Sequence, residues 1–161
     1  MRYLLLIFML AGIQTVAQAQ PVPRLKMADV VKMYSQPSDT VYVINFWATF
    51  CKPCVAEIPD FIRICDQYAG QKVKLLLVSL DLKEDYPVTI RSFAQKRHFN
   101  TNIAWLNETN ADVFCPMIDK SWSGAIPATL MVNARSGCKK FFEGEMKAAA
   151  FEMMLKETMN H

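Results

Sequence analysis

The chain has 161 residues, 52% of them hydrophobic, which suits one well-packed domain and leaves too little for two comfortable ones. Five glycines and eight prolines exclude a low-complexity chain. Its 18 basic and 15 acidic residues give a formal charge of +3 with no basic run, so nucleic-acid binding has no support.

Arg2 followed by the apolar run Leu4 to Ile13 has the length of an export-signal core rather than of a membrane span. Ala17-Gln18-Ala19 fits the small-x-small cleavage pattern, so a leader over residues 1–19 is expected, with a periplasmic or otherwise extracytoplasmic mature protein. An uncleaved anchor is the alternative. Outside the cytoplasm thiols can be oxidised. Residues 20–38 then read as an extended lead-in and a helix through Met27, Val30, Val31 and Tyr34, ended by Pro37.

A domain over residues 39–161 begins with Val41 to Phe50, an apolar and aromatic run that reads as a buried strand. Cys51-Lys52-Pro53-Cys54 follows at once, and Ile58, Phe61, Ile62 and Cys65 recur at helical spacing to about Gly70, with Pro59 expected to kink or restart the helix. Val73 to Leu80 is a second buried strand, Pro87 opens a helix to about His98, and Asn102 to Leu106 is a third strand. Ala111 to Ile118 reads as a helical turn or irregular, because Pro116 interrupts it. Ile126 to Val132 and Cys138 to Phe142 form a hairpin about Gly137, and Lys147 to Met159 is an amphipathic closing helix. The order implies an α/β fold with a mixed central sheet flanked by helices.

A strand that breaks into a helix carrying two cysteines is suited to redox exchange. The helix N-terminus has unpaired N–H groups and partial positive charge, which favour thiolate over thiol. Cys51, nearer the end, is the expected attacking thiol and Cys54 the resolving one. Glu57 is three residues beyond Cys54 on the same helix face. Buried, it would have a raised pKa and accept the proton Cys54 loses; the plainer alternative is a solvated glutamate favoured by the helix dipole. A metal site wants four ligands, whereas Cys65, Cys115, Cys138, His98 and His161 are scattered, so no metal or other cofactor is expected. Cys65 lies about 16 Å along the helix from Cys54 and reads as a buried core thiol. Cys115 and Cys138 could pair or stay free.

Asn45-Phe46-Trp47-Ala48-Thr49-Phe50-Cys51-Lys52-Pro53-Cys54, with Glu57 and Pro59, precedes Gly124-Ala125-Ile126-Pro127-Ala128-Thr129 by some seventy residues. Together they resemble the TlpA/ResA-like thiol-disulfide oxidoreductases of the thioredoxin superfamily. The resemblance implies a thioredoxin fold, a cis Ile126–Pro127 peptide against the cysteine pair, and client contacts at Phe50, Lys52, Pro53, Ile126 and Pro127. It favours an acid/base role for Glu57, because this branch often has Asn at the position of Asn45 and Glu at that of Glu57. Phe50 stands where the family usually has Trp, keeping an aromatic rim without the indole N–H. Trp47 reads as core. The implied activity is reduction of disulfides in exported proteins, in cytochrome c maturation or on other thiol clients, with a membrane thiol-electron transporter as reductant. A disulfide-forming oxidant or isomerase is the alternative. A peroxiredoxin-type peroxidase fits less well, since Thr49 is two residues before Cys51 rather than three, and a copper chaperone would need Cys-x-x-x-Cys and a distal His.

Overall fold

The computed structural model describes residues 21–161, so the expected leader over residues 1–19 lies outside the described residues. Eleven elements follow in chain order: β1 (Arg24–Leu25), α1 (Met27–Ser35), β2 (Val41–Trp47), α2 (Lys52–Gln67), β3 (Val73–Ser79), α3 (Val88–Lys96), β4 (Asn102–Leu106), α4 (Ala111–Ile118), β5 (Ala128–Asn133), β6 (Lys139–Glu143) and α5 (Ala148–Met159). They build one mixed sheet in the order β1-β4-β3-β2-β5-β6. The first four strands are mutually parallel, whereas β5 and β6 run antiparallel to their neighbours.

Near-continuous apolar runs in β2 and β3 reflect burial on both faces of the sheet. Val43 and Trp47 of β2 and Leu75 and Leu77 of β3 face α2, α3 and α5. Their alternates Ile44, Phe46, Leu76 and Val78 face α1 and α4. On the first side Phe61 of α2 stacks on Phe151 of α5, ring centroids 3.9 Å apart. Trp47 is fully buried against Phe93 and Phe99, as its place in the strand predicts.

Three local expectations need correction. The lead-in is not merely extended: Arg24 and Leu25 add a parallel edge strand to β4, opposite Trp105 and Leu106, and the Arg24 guanidinium lies over the rings of Tyr86 and Trp105. Helix α2 runs through Pro59 without restarting, because the proline ring is on the solvent face, and it stops at Gln67 rather than Gly70. A separate 3-10 turn, Ala69–Gln71, follows it. Residues 111–118 are a regular helix despite Pro116, held by Phe114, Cys115 and Ile118 packed on the sheet. Of the two readings left open for Cys115 and Cys138, the structure has both free: Cys115 is buried on the inner face of α4, while Cys138 is half-buried in the β5–β6 turn.

Candidate active site: a disulfide at the cap of the second helix

At the C-terminal edge of the parallel strands the chain leaves β2 and must turn into α2. Asp81, just past β3, holds that turn. Its buried carboxylate accepts from the Thr49 backbone N–H at 3.0 and 3.1 Å, the Thr49 hydroxyl at 2.6 Å and the Ser79 hydroxyl at 2.6 Å. Trp105 Nε1–H donates to the Asp81 carbonyl at 2.8 Å, tying the same residue to β4. Two residues beyond Thr49, Cys51 is the N-cap of α2, and its sulfur accepts from the Cys54 backbone N–H at 3.3 Å. Cys51 and Cys54 are disulfide-bonded, with their Cα atoms 5.3 Å apart. Cys51 keeps 8% of its surface exposed, whereas Cys54 has none. The outer sulfur is therefore the one a second molecule reaches first. It sits where helix N–H groups favour negative charge.

One turn further, Glu57 points into the sheet and is 5% exposed. Its Oε1 accepts from Asn45 Nδ2–H at 3.0 Å and its Oε2 from the Met146 backbone N–H at 2.8 Å. Burial pushes its carboxyl up to about 7 from 4.5; the Met146 and Asn45 donors hold it back, and the negative charge of Glu145 adds to the rise. Asn45 also donates to Thr129 Oγ1 at 3.1 Å, matching the register that sets Asn45 opposite Thr129 across β2 and β5. The same register continues upward: Ala128 lies opposite Phe46, which brings Pro127 level with the end of β2 from which the cysteine turn departs.

The Ile126–Pro127 peptide is cis, as is Tyr86–Pro87, which no sequence signal had indicated. Trp122 shapes the loop before Pro127: its ring packs 4.5 Å from that of Phe46 and its Nε1–H donates to the Ala125 carbonyl. Ser123 is bonded to Glu143 through both backbone N–H and hydroxyl. Gly124 has φ +93°, a backbone state that L side chains rarely adopt. Pro127 is buried and Ile126 half-buried, while Phe50 (67% exposed), Lys52 and Pro53, on either side of Cys51 in the chain, are exposed.

A family model for the AhpC/TSA family matches residues 18–137. The chain belongs to the AhpC/TSA family. Among its relatives is the thiol-disulfide oxidoreductase ResA of Halalkalibacterium halodurans, 26% identical over 116 residues. That match covers 72% of this chain and 58% of the relative's length. A thioredoxin-family thiol:disulfide interchange protein from Chlorobium tepidum TLS superposes with a TM-score of 0.61 at 16% identity, over 89% of this chain and 99% of that one. A secreted Mycobacterium tuberculosis disulfide oxidoreductase gives a TM-score of 0.57 at 17% identity, over 78% and 85%. The AhpC/TSA chain thus has a thioredoxin-like α/β fold.

Of the residues singled out in the sequence, the fold of this AhpC/TSA protein brings Cys51, Cys54, Glu57 and Pro127 to one end of the sheet. Three other participants went unread. Asp81 carries the signal of an acidic residue directly after a buried strand, Thr129 lay inside the Gly124 to Thr129 motif, and Met146 contributes only a backbone N–H that no residue type reveals.

Proposed function

We propose that this protein is an extracytoplasmic thiol-disulfide oxidoreductase that reduces disulfides of exported client proteins. The observation that carries the reading is the directed disulfide: an exposed sulfur at a helix cap, a buried one behind it, and a buried carboxyl one turn further. In the dithiol form the Cys51 thiolate attacks a client disulfide, forming a mixed disulfide and releasing one client sulfur as thiolate. The Glu57 carboxylate takes the Cys54 proton, and the Cys54 sulfur then attacks Cys51 and expels the second client sulfur. That returns the disulfide. Two electrons and two protons must come back from another dithiol, and a membrane thiol-electron transporter is the partner that suits an oxidising compartment. Phe50, Lys52 and Pro53 flank Cys51 in the chain, and with Ile126 and Pro127 they are the residues we assign to hold an extended client segment. Export rests on the leader expected over residues 1–19, and the secreted relative is consistent with it.

The test is a trap. A Cys54→Ser variant should retain clients on Cys51 as mixed disulfides, and the wild type should reduce insulin disulfides. Capture of nothing together with intact insulin would remove the oxidoreductase reading. A reduction potential near thioredoxin's (about −270 mV) supports the reducing direction, and one near the strong oxidant's (about −120 mV) reverses it.

A further inference from the structure

Among the described residues, the hydrogen-bonded set of Asn45, Glu57 and Thr129 contains one side-chain atom with no partner. Asn45 is wholly buried, and its Nδ2 donates to both Glu57 Oε1 and Thr129 Oγ1, yet its Oδ1 has no hydrogen-bond donor. This arrangement serves one protonation state of Glu57. With the carboxylate ionised, Oε1 is a pure acceptor facing an N–H donor. Once Glu57 is protonated, Oε2 still accepts from the Met146 N–H, so the proton belongs on Oε1, where Asn45 presents an N–H donor and offers the new O–H no acceptor. A half-turn of the Asn45 amide resolves the conflict. Oδ1 then occupies the position of Nδ2 and accepts from the Glu57 O–H and from the Thr129 hydroxyl, both of which can donate.

We propose that Asn45 is a positioning residue whose side-chain amide turns over when Glu57 gains or loses its proton, matching the Glu57 hydrogen bond in both states and passing the change to Thr129. The inference deepens the acid/base assignment of Glu57 made above and rests on it for its function, but the amide movement is a property of the fold. Aspartate at position 45 could not do this without adding a second charge beside Glu57. Leucine could serve neither state. Thr129 is two residues from Pro127, so the hydroxyl that changes from acceptor to donor belongs to the strand that begins at the expected client contact. The loop before α5 presents Glu145, whose charge raises the Glu57 pKa. Cys54 lies three residues back on α2, and β2 and β5 present only the non-ionisable Asn45 and Thr129.

The experiment follows the Glu57 carboxyl carbon and the Asn45 side-chain NH2 by NMR while the oxidised protein is titrated. Both signals should move with one midpoint, and the Asn45 resonances should exchange between two environments. Asn45→Leu removes the donor to the ionised form and should raise the Glu57 midpoint by about one pH unit or more. In the dithiol protein it should raise the pH at which Cys54 releases a model client from Cys51 by the same amount. Asn45 signals that stay constant through the Glu57 titration would overturn the proposal even if the Leu variant does not fold, and so would an unmoved midpoint in a folded variant. A wild type that reduces no disulfide while the two signals titrate together would overturn the functional reading and leave the amide movement standing.

Discussion

Glu57 is the residue at which folding and chemistry conflict. Its value of about 7 in the folded protein lies above the ordinary 4.5, so between these limits the native state keeps a proton that the unfolded chain has lost. The Glu57 contribution to stability is therefore fully present below about pH 4.5, is lost as pH rises from there through 7, and leaves the protein about 3 kcal/mol less stable above it. Denaturant melts of the oxidised protein should show this loss, and Glu57→Gln should abolish it. The same substitution should slow resolution of a Cys51 mixed disulfide by about a hundredfold, read by stopped-flow release of a client thiol. Among the other cysteines, burial pushes the Cys65 thiol up to about 12 and raises that of Cys115, so neither offers a thiolate. Iodoacetamide on the native oxidised protein should label Cys138 alone, with Cys65 and Cys115 reacting only after denaturation, as peptide mass mapping would report.

Between elements, two contacts hold the cysteine helix. At its N-terminal approach, Asp81 gathers three donors from Thr49 and Ser79, and Asp81→Ala would leave the buried Ser79 hydroxyl and the two half-buried Thr49 donors without this acceptor. A loss of about 3 kcal/mol is expected from urea unfolding, along with a reduction potential that shifts because the turn before Cys51 loosens. At its middle, α2 is fastened to α5 by the Phe61–Phe151 stack, both rings fully buried. Phe151→Ala should cost about 3–5 kcal/mol, and because α5 follows directly on Met146, it should also weaken the Met146–Glu57 bond and move the Glu57 midpoint upward.

At the scale of the whole molecule, one sheet carries two cores, and every central strand contributes to both. Damage at one edge therefore reaches the site only through shared strands. β1 tests this: it covers the β4 edge, and β4 presents Trp105, whose indole N–H holds the Asp81 carbonyl. A chain starting at Met27 should unfold at lower urea and bind more of an apolar dye, with the Cys51–Cys54 disulfide still forming. Survival of the wild-type midpoint would show that β1 adds nothing to the edge.

Much of this was legible in the sequence because it is local. The Cys51-Lys52-Pro53-Cys54 spacing at a strand-to-helix break, the two-faced apolar runs of β2 and β3, and the helical stripe through Ile58 and Phe61 each need only their neighbours to be read. Pro59 and Pro116 misled because a proline's effect depends on which helix face it occupies and what the rest of the helix packs against. Those are tertiary facts. Tertiary structure alone decided the environment of Glu57. Residue type and helix spacing allowed either a solvated glutamate or a buried one. Only the pairing of β2 with β5, which sets Asn45 beside Thr129, and the arrival of Met146 from 89 residues away could seal its carboxyl from water and leave it titrating near neutrality.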